Sequence, residues 1–133
     1  MITKEQHIKY WVDTAERDWI AAENMFMTKD YMHSLFWAHL VLEKLAKAHW
    51  VKNSENDVPP KIHNIVRLLK QSNVDLEDET MFFLEKFNDF QQMSRYPDFH
   101  HEIFDRCTKE YTYKQLEKVK EVRECLIKML QSE

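Results

Sequence analysis

The chain has 133 residues, 44% hydrophobic and 32% charged, which is enough for a single domain with one real core. It contains no glycine, so phosphate-cradling Gly-rich loops, dinucleotide fingerprints and Gly-centred nucleophile elbows are excluded, and an all-α fold is favoured over hairpins. A net charge of −4 argues against a broad DNA- or RNA-coating face and leaves room only for local phosphate contacts.

Thr3 opens a TKEQ capping box, with Gln6 placed to reach back to the cap. The helix predicted from there to about Met27 carries Ile8, Trp11, Val12, Ala15, Trp19, Ala22 and Phe26 at the helical period. Asp18 lies at the edge of that stripe. It reads either as a rim carboxylate in water or as the partner of a cation such as Arg95, because burying it unpaired is costly. Thr28 to Asp30 is a short link, and a second long helix is predicted from about Tyr31 to Lys52. Leu35, Ala38, Leu42, Leu45 and Ala46 line one side of it. A second row holds Phe36, His39, Glu43, Lys47 and Trp50. That row places imidazole, carboxylate and ammonium in one ladder, and it is equally the pattern of a solvated face with an i,i+4 pair.

Asn53 to Pro60, with two prolines among polar turn formers, breaks the pattern without being long enough for a domain boundary. A shorter helix is predicted over 61–71, with His63 near its start, and another from a cap at Asp75, with Phe83, Phe87 and Phe90 in its stripe. Pro97 ends that pattern, and a short helical turn is expected around Glu102 to Cys107. Thr112 opens a second capping box, ending at Gln115, for the last helix. The sum is an all-α, up-and-down bundle of four to five helices, one domain over 1–133. Cys107 and Cys125 form no spacing motif, which suits a reducing cytosol. The N-terminus lacks a signal-peptide apolar region, and no run approaches the ~20 apolar residues of a spanning helix. A cytoplasmic protein without a membrane segment is expected.

Metal chemistry finds no scaffold. No histidine follows a glutamate by three positions and HExxH is missing, so neither a diiron nor a zinc-hydrolase pattern exists. His100, His101 and Glu102 are adjacent, and adjacent side chains on a helix point apart. No metal or other cofactor is expected. The stretch Ser94 to His101, SRYPDFHH, concentrates the remaining polar chemistry. Arg95 offers a planar fork for phosphate, and His100 or His101 can move a proton near neutral pH. Together Arg95 and His100 could support cleavage of RNA by its own 2′-hydroxyl; equally, Arg95 could cap helix carbonyls or pair with an acid.

Four stretches in order, WVDTAERDWIAAENM, YMHSLFWAHLVLEKLAKAHW, PPKIHNIVRLL and SRYPD, give the chain a resemblance to HEPN domains, the higher-eukaryote and prokaryote nucleotide-binding family of small helical bundles. The resemblance implies a homodimer. In many members an Arg-x4–6-His motif makes a metal-independent endoribonuclease with a site composed across the dimer, and Arg95 with His100, or with His101, fits that spacing. Two departures stand in the sequence. Tyr96 and Pro97 follow the arginine where ribonuclease members are usually polar, and Glu102 stands where toxin-like variants carry a modifiable tyrosine. The RYPD form resembles the branch linked to nucleotide binding and to a nucleotidyltransferase partner, in systems of toxin–antitoxin type. The resemblance places Lys47, His63, Arg95 and Tyr96 around a bound phosphate and base. A purely structural dimerisation module is the remaining alternative.

Overall fold

The computed structural model describes residues 1–91 and 97–132, the side chains of 97–101 excepted. Among these residues there are six α-helices, a 3-10 turn and no strand. The first helix, α1 (Lys4–Met27), starts as the sequence predicts. Thr3 Oγ1 accepts the Gln6 amide N–H at 3.1 Å, and Gln6 Oε1 accepts the Thr3 N–H at 2.8 Å. A short link leads to α2 (Tyr31–Asn53). With no glycine available, Lys29 takes the left-handed turn position there at φ 69°, as Asn73 does further on at φ 57°.

The centre of the fold is α2. It packs against α1, α3, the 3-10 turn and α6, and from Val41 to Val51 every residue is buried except the half-buried Lys44 and Trp50. A helix enclosed in this way has no solvated face. The row His39, Glu43 and Lys47 is therefore buried, at 1%, 4% and 9% exposure, and the solvated reading of that ladder is overturned. Asp18 is corrected on the same ground. It is buried rather than a rim residue, and its partner is Lys44, with Nζ at 2.6 Å from Oδ2.

The last helix, α6 (Lys109–Gln131), buries Leu116, Val119, Val122 and Leu126. Its C-terminal end meets that of α2: His49 Nε2 donates to the Leu126 carbonyl at 2.8 Å, and Lys52 Nζ donates to the carbonyls of Met129, Leu130 and Ser132. An ammonium at these carbonyls serves as a C-terminal cap, shared at Met129 with the Ser132 hydroxyl, which donates to the same oxygen at 2.9 Å. Lys4 does the same for α2, reaching the carbonyls of Val51 and Ser54 and the carboxylate of Asp57. No helix among the described residues is long and apolar enough to cross a membrane.

The shorter elements depart from expectation at their starts. The helix expected over 61–71 begins only at α3 (Ile65–Gln71), because Asn64 is the cap and its Oδ1 accepts the Arg67 N–H at 3.0 Å. His63 thus precedes the helix. Asp75 does not cap α4 (Asp78–Phe87), whose N-cap is Glu77, and the helix tightens into the 3-10 turn Asn88–Gln91. Pro97 opens a helix as well as ending a pattern. It is the first residue of α5 (Pro97–Arg106), a position that needs no N–H donor and suits the fixed φ of proline, and it lengthens the expected turn. Finally, α6 is capped by Thr108, which accepts the Tyr111 N–H, one turn before the expected Thr112 box. Ile103 and Cys107 are buried just ahead of that cap. Thr112 is then left fully buried, with no hydrogen-bond partner for its hydroxyl among the described residues.

Candidate functional site

Three side chains one turn apart on α2 meet the end of the loop before α3. Glu43 is the junction. Its Oε2 accepts from Lys47 Nζ at 3.2 Å, its Oε1 accepts from His63 Nδ1 at 3.2 Å, and His39 Nδ1 lies 3.9 Å from the same oxygen. A carboxylate can only accept, so His63 carries its proton on Nδ1, and Nε2 is the atom free to exchange one. Lys47 stands over the Trp11 ring, 5.4 Å from its centroid, so α1 supplies a second, aromatic partner for the ammonium. Only 11% of the Lys47 side chain is exposed, against 45% for His63. Lys47 spends one N–H on Glu43, and its remaining donors could meet an oxyanion at the cluster's edge.

Asn88 closes the cluster from below. Its Oδ1 accepts both His39 Nε2–H and the Ile65 backbone N–H at 3.1 Å, and its Nδ2 donates to Asn64 Oδ1 at 3.1 Å. Because Oδ1 is the acceptor, His39 holds its proton on Nε2 and leaves Nδ1 without a hydrogen-bond partner, facing Glu43. Burial lowers the His39 pKa below the ordinary histidine range, against the raising influence of Asn88 and of Glu43. His39 is therefore neutral at pH 7. Its ring stacks on Phe87, which stacks in turn on Phe83, with centroids 6.0 and 5.3 Å apart. Beyond Phe87 a groove of about 810 Å³ opens between α4 and α6, with Lys86 over the Phe82 ring and Lys118 over Phe83.

Of the residues singled out in the sequence, Lys47 and His63 are brought together on one carboxylate. Arg95 and Tyr96 lie outside the described residues; His100 belongs to α5 by its backbone, with its side chain outside the description. Sequence reasoning missed Asn88, Asn64 and Trp11 as partners. The i,i+4 ladder on α2 was the one signal available for His39 and Glu43, and it does not name residues from other helices. Among the described residues no group of three or more His, Cys, Asp or Glu side chains is placed to hold a metal ion. The one buried thiol is poorly suited to attack. Burial pushes Cys107 up to about 11, against the lowering influence of Arg106, so the thiolate is scarce at neutral pH.

The HEPN domain family model matches residues 8–130, nearly the whole chain. The chain belongs to the HEPN domain family. No curated protein and no solved structure matches it in the other two comparisons. In this HEPN domain the described polar cluster ends at Asn88, from which the 3-10 turn leads directly into the segment that carries Arg95.

The two buried histidines make stability depend on pH. Burial also lowers the His49 pKa, outweighing the raising effect of its bond to the Leu126 carbonyl. Both rings take up a proton less readily in the fold than in the unfolded chain, whose histidines protonate as pH falls through about 6.5. The stability they contribute is complete above that pH and is lost below it, by up to about 1.4 kcal/mol per pH unit for each ring. The melting temperature should fall between pH 7.5 and 5, and His49→Gln, which keeps a donor for Leu126, should flatten that fall. An equally steep fall in the variant would remove His49 from the account.

Proposed function

We propose that this HEPN domain binds a nucleotide or an RNA phosphate at a site made by Lys47, His63, Arg95 and Tyr96. It acts as a homodimer alongside a nucleotidyltransferase partner in a toxin–antitoxin-like system. The observation that supports the reading is the meeting of Lys47 and His63 on Glu43, although they come from separate stretches of the chain. Glu43 orients both groups while leaving each with unspent hydrogen-bonding capacity, the arrangement a phosphate needs from an ammonium and an imidazole. Arg95 adds a bidentate fork and Tyr96 a ring for the base.

ATP in a metal-free buffer tests this. At a hundredfold excess over Kd, binding should stabilise the fold by about 2.7 kcal/mol, seen as a rise in melting temperature. Arg95→Ala and Lys47→Ala should each remove that rise. If neither ATP nor a single-stranded RNA oligonucleotide shifts the transition, the binding reading falls and the structural dimerisation module stands.

The spacing of Arg95 and His100 favours a second reading, metal-independent RNA cleavage with His100 as general acid or base and Arg95 stabilising the developing charge. The purified protein should then cleave RNA in EDTA, and His100→Ala should lower the rate by about 10²–10⁴-fold. Undiminished cleavage by that variant would end the second reading.

A further inference from the structure

We infer that His63 is a phosphoryl-accepting residue, its Nε2 taking a phosphoryl group from a small acyl phosphate to give a phosphohistidine. The inference shares Lys47 and His63 with the proposed phosphate site but needs neither Arg95 nor a nucleotide. An imidazole attacks through whichever ring nitrogen lacks a proton. Glu43 settles which one that is, since its Oε1 accepts from His63 Nδ1 at 3.2 Å and so leaves the lone pair on Nε2. The side chain is 45% exposed, so a small solute can reach that nitrogen.

The backbone around the ring is held on both sides. Before it, the Pro60 carbonyl accepts the Ile62 N–H at 2.8 Å; after it, Asn64 caps α3 and accepts from Asn88 Nδ2 at 3.1 Å. A second imidazole–carboxylate pair in the chain gives the contrast. His33 Nδ1 lies 2.8 Å from Asp30 Oδ1, but both of those side chains are 50% exposed and water screens their interaction. The Glu43 side chain is only 5% exposed, so its charge acts on His63 from a low-dielectric interior. Glu43 also carries the Lys47 ammonium on its other oxygen, which puts a cation beside the imidazole.

The step balances with the acyl phosphate alone. The Nε2 lone pair attacks phosphorus, the N–P bond forms, and the bond from phosphorus to the acyl oxygen breaks. The carboxylate leaves with that electron pair. No proton is released, because Nε2 carried none. The ring becomes cationic while its Nδ1–H stays on Glu43, and that hydrogen bond strengthens as the charge appears. The Lys47 ammonium has donors left for the phosphoryl oxygens. Attack by water on phosphorus then frees the ring and releases inorganic phosphate.

Acetyl phosphate and the full chain test this, read by peptide mapping in the mass spectrometer and by phosphorus NMR in alkali, where phosphohistidine survives. His63 should be phosphorylated about tenfold faster than His33, the factor that a hydrogen bond to a charged group carries. The phosphorus should sit on Nε2. In urea, where the pairing with Glu43 is lost, the two histidines should react at the same rate. Glu43→Leu combined with Lys47→Met, which keeps the interior filled, should bring the His63 rate down to that of His33 and spread the phosphorus over both ring nitrogens. Equal rates at His63 and His33 in the folded protein, phosphorylation at Nδ1, or acetylated lysine as the sole product would each overturn the proposal. So would an undiminished His63 rate in the double variant. The comparison of His63 with His33 needs no substitution, so it decides the matter even where the double change unfolds the chain. The labelling uses no nucleotide, so its failure and a failure of ATP binding are separate results.

Discussion

Replacing Glu43 with alanine should destabilise the fold by about 3–5 kcal/mol, measured as a fall in the urea midpoint, because it strands a charge in the interior. Lys47 is 9% exposed, and Glu43 is its one carboxylate partner among the described contacts. The same change leaves His63 Nδ1–H without its acceptor. Against a total stability of about 5–15 kcal/mol for a domain of this size, the loss would bring the protein close to its unfolding threshold. The cause is the unpaired ammonium rather than the absent contact, and a compensated variant separates the two. Glu43→Leu combined with Lys47→Met removes both charges at similar volume and should recover most of the stability, since buried ion pairs are often no better than well-packed apolar residues. A loss below about 1 kcal/mol for Glu43→Ala would mean that water reaches Lys47 freely, and the cluster would not be buried as described.

Phe87→Ala should cost about 3–5 kcal/mol in the same assay. The ring is 1% exposed and lies between His39, Phe83 and Phe90, with the Phe90 centroid 5.1 Å away. Its removal leaves a cavity between the polar cluster and the groove on the side of α6. Water entering from the groove would reach His39 and relieve the burial that lowers its pKa. The variant should therefore be less stable at pH 7 and also lose less additional stability on acidification, a paired signature that simple loss of packing does not produce. Phe82→Ala is the control, because that ring is 62% exposed and its contact with Lys86 should be worth no more than about 1 kcal/mol. A similar loss from both changes would place the two rings in the same environment and contradict the core described above.

Much of the scaffold was legible because its causes are local. Thr3 and Gln6 are close enough in sequence to form the first cap, the 3.6-residue spacing of apolar positions marks α1, α2 and α6, and the lack of glycine favours helices over hairpins. The boundaries that failed involve competition between neighbouring candidates. Thr108 and Thr112 are both threonines one turn apart, and only the packing of Ile103 and Cys107 selects the first. Asn64 takes the cap of α3 because Asn88 holds it from another helix.

What the sequence determined by itself is the family and the all-helical bundle, since period, capping and the order of four motifs lie along the chain. It also placed Lys47 and His63 among the residues to watch. Only the tertiary structure decided that the His39–Glu43–Lys47 row is interior. The same i,i+4 ladder suits a water-facing helix, and what distinguishes the two is how many neighbours enclose α2. Trp11, His63 and Asn88 reach Glu43, Lys47 or His39 from positions far off in sequence. No local pattern encodes such contacts, because they form only when α1, the loop before α3 and the end of α4 close around the central helix.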